Sequence, residues 1–181
     1  GACRDVTLEY PVAENEGEED NTYLSYNMVV GNAADSQMAM AFEVLDYALL
    51  SAPGAPLKQA LLDVKAGKDV YGSYDDGILQ PYFTVIAKGS NPDRKEEFVS
   101  VIRQVLGDIV KNGIDRKAVE AGINYFEFRY READFSSYPK GLMYSLDILG
   151  DWLYEKGNPF AQVQQLTVFE KKKKANESSS A

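Results

Sequence analysis

Residues Glu127–Leu142 read EFRYREADFSSYPKGL, and where this stretch breaks decides how the second half of the chain is arranged. Its opening residues continue a face formed by Val119, Ile123, Phe126 and Tyr130, three and four positions apart, which predicts a helix. Asp115, just past Asn112-Gly113, suits the cap of that helix. Asp134–Tyr138 reads as a loop, and Pro139 fits the first turn of a new helix. Leu142, Leu146, Leu149 and Leu153 carry that helix towards Gly157, and a last short helix is expected near Pro159.

Upstream, Phe98, Val101, Ile102, Val105 and Ile109 mark a further amphipathic helix ended by Asn112-Gly113. Before it, strands are expected near Val70–Tyr74 and Leu79–Ala87, with Asp75-Asp76-Gly77 as the hairpin signal. Pro53-Gly54-Ala55-Pro56 separates two more helices. The first holds Met38, Phe42, Leu45 and Leu49 and is capped by Asp35 or Ser36; the second runs from Pro56 to Ala66, with Gly67 as its C-cap. Near the start, Leu24, Tyr26, Met28 and Val30 alternate as one face of a strand that Gly31-Asn32 stops, and Val6, Leu8, Tyr10 and Val12 alternate as an edge strand. The acidic stretch between them, Glu14–Asp20, reads as an exposed loop without calcium-loop spacing.

The expected order is therefore β-β-α-α-β-β-α-α-α-α. Strands joined by hairpins and helices in runs favour an α+β fold, a mainly antiparallel sheet with helices packed on one face. Strict β-α-β alternation is missing, which disfavours a nucleotide-binding doubly wound sheet. With neither an internal repeat nor a flexible linker, residues 1–170 read as a single domain, followed at 171–181 by a basic and polar tail.

The 181 residues are 45% hydrophobic and 26% charged, enough to bury one core. A net charge of −9 disfavours a nucleic-acid partner, and Lys171–Lys174 reads as part of a solvated tail. The absence of a long apolar run argues against a membrane span. The single cysteine, Cys3, fits a reducing compartment, the cytoplasm or an organelle matrix. With no secretory pattern at the N-terminus, the sequon at Asn176-Glu177-Ser178 reads as accidental. The chain begins with glycine, which is expected of a fragment of a longer polypeptide.

The decisive chemical fact is that the sequence has no histidine. Catalytic zinc is held by nitrogen- or sulfur-rich ligands with one position open for water, and this chain supplies neither kind in number. The same count removes Ser-His-Asp and Cys-His catalysis. Ser137–Lys140 has S-x-x-K spacing, but Pro139 and the turn setting make it a coincidence. Glu127, Glu132 and Asp134 are candidates for paired acid-base carboxylates, yet their setting beside Arg129 and Arg131 favours helix ion pairs and turn closure. The pairs expected are Arg131 with Glu127 and Arg129 with Glu132; alternatively the arginine forks hold a substrate or partner carboxylate. Tyr23, Tyr26, Tyr71, Tyr74 and Tyr82 fall on the expected strands, either as half-buried sheet positions or as a wall that accepts peptide.

Four stretches resemble the pitrilysin/insulinase superfamily of zinc metallopeptidases, specifically its presequence-protease branch. They are Tyr23–Gly31, Ser51–Leu62, Phe83–Gly89, and the opening EFRYREADFSSYPKGL together with GDWLYEKGNPF at residues 150–160. The resemblance implies a LuxS-like metallopeptidase-domain fold. It also implies a parent of four related domains that close around a peptide chamber, with zinc on an inverted H-x-x-E-H motif in the first domain. This chain resembles the second, non-catalytic domain, and none of the family's zinc ligands or catalytic residues map onto it. Glu127, Arg131, Glu132, Asp134, Phe135, Pro139, Lys140 and Gly141 are then fold and interdomain determinants. The implied partners are the zinc-bearing domain of the same polypeptide and the parent's peptide substrates, with zinc in the parent and no cofactor in this piece. Two alternatives remain open at this point: a stand-alone non-catalytic subunit that pairs with an active partner, and an unrelated α+β binding module.

Overall fold

Alternation of apolar and polar residues at positions 22–29 becomes the first strand of a computed structural model that describes residues 3–13, 17–32, 35–132, 137–154 and 160. This strand, β1 (Thr22–Val29), turns Leu24, Tyr26 and Met28 inward. Two further strands form a hairpin, β2 (Asp69–Asp75) and β3 (Tyr82–Ser90), with Asp75 Oδ1 accepting from the Gly77 amide at 2.9 Å in the turn. The sheet is antiparallel in the order β1-β3-β2. Its central strand, β3, sends Phe83, Val85 and Ala87 into the core.

The helices α1 (Ser36–Asp46), α2 (Pro56–Asp63) and α3 (Lys95–Asn112) surround the inward face of the sheet. The Asp35 carboxylate accepts from the Met38 amide at 3.0 Å and so caps α1. At its other end α1 widens into a π-helical turn, Tyr47–Ser51, that buries Ala48, Leu49 and Leu50. Leu57 and Leu61 of α2 and Phe98 and Ile102 of α3 complete the core. Two more helices follow, α4 (Arg116–Glu132) and α5 (Lys140–Leu153), and Asp115 Oδ1 caps α4 through the Lys117 amide at 2.9 Å. The α4 face of Val119, Ile123, Phe126 and Tyr130 packs on Met40, Val44 and Tyr47 as a second, smaller cluster. An added Cβ at Gly122 would lie 3.2 Å from both Tyr47 and Val44, so α4 crosses α1 closely at that point.

Three sequence expectations need correction. Val6–Val12 forms no strand: the segment pairs with neither edge of the described sheet, and Val6 and Leu8 lie exposed. It is held instead by the Tyr10 hydroxyl donating to the Asn21 carbonyl, by a Tyr10–Tyr23 edge-to-face contact, and by the Lys95–Asp5 ion pair. Gly67 does not take the left-handed position after α2; Lys65 does, at φ +53°. Gly67 is needed for room, because a Cβ there would sit 2.7 Å from the Lys88 carbonyl oxygen. Finally, the third strand starts at Tyr82, three residues later than expected, because Pro81 has no amide to donate. The helix expected near Pro159 and the tail at 171–181 fall outside the described residues.

Candidate functional site at the junction of α1, α4 and α5

Most of the residues singled out by the opening stretch meet where α4 ends and α5 begins. Arg131 donates to Glu127 Oε1 through Nη2 at 2.8 Å and Nε at 3.1 Å, as the i,i+4 spacing predicts. Lys140 Nζ donates to the Glu132 carbonyl at 3.1 Å and ties the two helices. Pro139 directly precedes α5, and its carbonyl accepts from the Leu142 and Met143 amides. A Cβ added at Gly141 would meet nothing within 4 Å. Asp134 and Phe135 lie outside the described residues. Among the described residues Arg129 forms no ion pair with Glu132; its charge acts on Glu43 instead.

Glu43 is the functional group that sequence reasoning missed. Tyr130 donates its hydroxyl to both Glu43 carboxylate oxygens, at 3.1 and 3.2 Å, and so joins α4 to α1. Burial raises the Glu43 carboxyl to about 7, opposed by the Tyr130 hydrogen bond; Asp76 and Asp147 push it up and Arg129 pulls it down. Burial and the Glu43 charge drive the Tyr130 hydroxyl upward in turn. One turn along α1, burial alone lifts Asp46 to about 6, and its Oδ1 is enclosed with no hydrogen-bond partner. A signal existed: in MAMAFEVLDYALL, residues 38–50, Glu43 and Asp46 are the only charges.

The expected tyrosine wall is divided by strand parity. Tyr26 and Tyr74 turn towards the helices, where Tyr74 stacks on Phe42 at 5.5 Å, while Tyr23 and Tyr71 stand exposed on the open face of the sheet. Tyr82 donates its hydroxyl to Asp75 at 3.0 Å.

The chemistry available is limited. Glu43 is raised to about 7 but committed to the partly buried Tyr130 hydroxyl. Among the described residues no three His, Cys, Asp or Glu side chains are grouped to hold a metal ion. With no histidine in the sequence and an exposed Cys3, the donors present do not fit a catalytic zinc centre.

A family model described as the peptidase M16 inactive domain matches residues 4–126. The chain belongs to the peptidase M16 inactive-domain family. That membership removes the unrelated-module alternative. Protein HypA of Clostridium perfringens is 40% identical over 174 residues, which cover 96% of this chain and 18% of that protein. Presequence protease 1, chloroplastic/mitochondrial, of Arabidopsis thaliana is 30% identical over 153 residues, 83% of this chain and 14% of that protein. The chain thus spans less than a fifth of the length of these relatives. The M16 fold is also seen in the inactive peptidase domain of a candidate zinc protease from Bordetella parapertussis. That structure has a TM-score of 0.66 and 13% identity, covering 82% of this chain and 77% of the other. The M16 inactive-domain match ends at Phe126, so the Arg131–Glu127 pair and α5 lie beyond it, although the HypA alignment takes in almost the whole chain.

Proposed function

We propose that this M16 inactive domain is a non-catalytic structural domain of a longer, zinc-dependent endopeptidase that degrades short unfolded peptides. In this reading it packs beside a zinc-bearing domain and forms part of the wall of a closed chamber, which admits flexible peptides and excludes folded proteins. The zinc, and the glutamate that activates water on it, belong to the rest of the polypeptide. A reducing compartment, the cytoplasm or an organelle matrix, fits the single cysteine. One observation carries the reading: the chain has the fold of a peptidase family and not one imidazole with which to bind the metal. Its likeness to a presequence protease supports the substrate class.

The test compares the chain alone with the full-length polypeptide that contains it, using an unstructured fluorogenic peptide. Full-length protein is expected to cleave the peptide and to lose that activity to a chelator, while the chain alone with added zinc stays at background. Chelator-sensitive turnover by the chain alone would overturn the proposal. A short reading frame that lacks the inverted H-x-x-E-H motif upstream of this domain would instead favour a separate subunit that pairs with an active partner.

A further inference from the structure

Helix α5 faces the wrong way for an amphipathic helix of a free-standing domain. Its inward side holds Tyr144, Asp147, Ile148 and Asp151, and Asp151 is only 1% exposed. Its outward side carries Leu142, Leu146, Leu149 and Leu153 at 49, 52, 56 and 71% exposure, with Trp152 beside them at 70%. Leucines are costly to leave in water, and a contiguous apolar face of this kind marks a contact surface.

The spacing and the residues beside it indicate what covers it. Steps of four, three and four residues fit an a/d seam against another helix, as in α4, but α1 lays the same steps at Phe42, Leu45 and Leu49 on the sheet, so the residues beside the seam decide between the two. At about 100° per residue, Ser145 and Gly150 flank the seam on opposite sides. A Cβ added at Gly150 or Gly141 would meet nothing within 4 Å, so packing within this chain requires neither glycine. Glycine weakens a helix, and small flanking residues allow a second helix to come close.

The source of that helix follows from size. Five side chains offer less than the roughly 800 Å² per partner that a stable association of separate molecules buries. An intramolecular neighbour needs less area, because the connection between them supplies a high effective concentration. Protein HypA, which matches 96% of this chain, has 82% of its own length outside the match, ample to supply one. We infer that the outward face of α5 is the seat of an apolar α-helix contributed by the remainder of the same longer polypeptide. The inference rests on the proposed function and names one of its interdomain contacts.

The experiment uses the full-length polypeptide carrying Leu149→Cys in a Cys3→Ser background, with Leu146→Cys as a second position on the seam. Maleimide labelling at each position is followed by peptide mass analysis in native buffer and in urea. Native labelling is expected to be at least roughly tenfold slower than in urea at both positions. Native rates within about twofold of the unfolded rates overturn the inference. A photo-crosslinker at position 149 should capture a helical segment of the same molecule; capture of a second copy or of a loop also overturns it. Peptide turnover is measured in the same preparations. Absence of chelator-sensitive turnover counts against the proposed function, whereas an unprotected seam in an active preparation removes only the α5 assignment.

Discussion

Helices α4 and α5 carry the same apolar spacing and meet opposite fates. Val119, Ile123, Phe126 and Tyr130 of α4 recur at steps of four, three and four, as do Leu142, Leu146, Leu149 and Leu153 of α5. The first stripe closes on Met40, Val44 and Tyr47, leaving Phe126 only 8% exposed. The second faces solvent while its helix turns Asp147 and Asp151 inward. Periodicity therefore identifies the face that seeks burial, and only the presence of a neighbour decides whether that face is buried within the chain.

The most direct way to break the comparison is to truncate one residue from each stripe. Phe126→Ala should lower the unfolding free energy of the chain by about 3 kcal/mol in urea titrations, whereas Leu149→Ala should change it by less than about 0.5 kcal/mol. Equal losses would mean that α5 has its own partner inside this chain.

Next in size is the carboxylate that α4 locks and α5 approaches. Glu43 titrates at about 7 in the folded chain against an ordinary 4.5, so the native state holds its proton more tightly than the unfolded state does. Its contribution to stability is therefore fully present below pH 4.5 and is lost as the pH rises through 7. The whole span corresponds to about 3 kcal/mol. Glu43→Gln keeps an acceptor for Tyr130 and removes the charge. It should raise stability above pH 8 by up to about 3 kcal/mol and leave it little changed near pH 4. The variant should retain a weaker dependence of the same sign, because Asp46 is also raised, from 3.8 to about 6. Thermal melts across this range check the slope; an unchanged slope would place Glu43 in water.

How much of this the sequence revealed follows from the same contrast. The alternation in β1, the hairpin β2–β3 and the α4 face were legible because each is a local pattern whose partner lies within the chain. The segment Val6–Val12 alternates just as well and forms no strand although the described sheet ends in β1 and β2 as edges, since pairing depends on cross-strand packing that no local pattern encodes. Glu43 was missed because its burial arises where α1, α4, α5 and the β2–β3 turn converge, although its place in an apolar run was a warning. The presence of α5 was readable, but its orientation was not, because outward leucines and inward aspartates reverse the usual rule.

Glycines sharpen the contrast at a smaller scale. Gly122 of α4 lies where a Cβ would already be 3.2 Å from Tyr47 and Val44, so Gly122→Val should cost about 2 kcal/mol by overpacking the α1–α4 crossing. Gly150 of α5 has open space, and Gly150→Ala should stabilise the chain alone by about 0.5–1 kcal/mol through helix propensity. The opposite signs, read from urea midpoints, would separate a crowded helix from an uncovered one.

The smallest effect tests whether the junction between the two helices matters to the domain or only to its setting. Arg131 makes two bonds to one oxygen of Glu127, its side chain is 51% exposed, and the acid precedes the base at i,i+4, the favourable direction for a helix pair. Pairs of this kind contribute about 0.3–0.5 kcal/mol. The Glu127 side chain is less exposed, at 15%, so a single substitution also measures the cost of leaving that carboxylate short of a donor. A double-mutant cycle of Arg131→Ala with Glu127→Gln isolates the pair, and its coupling should stay below about 0.5 kcal/mol and shrink in salt. If the cycle instead returns about 1.5 kcal/mol or more in the chain alone, the end of α4 belongs to the core of this domain. If the full-length protein has the proposed activity, a small coupling together with a larger loss of turnover would mean that Arg131 serves the longer polypeptide as well as its pair with Glu127.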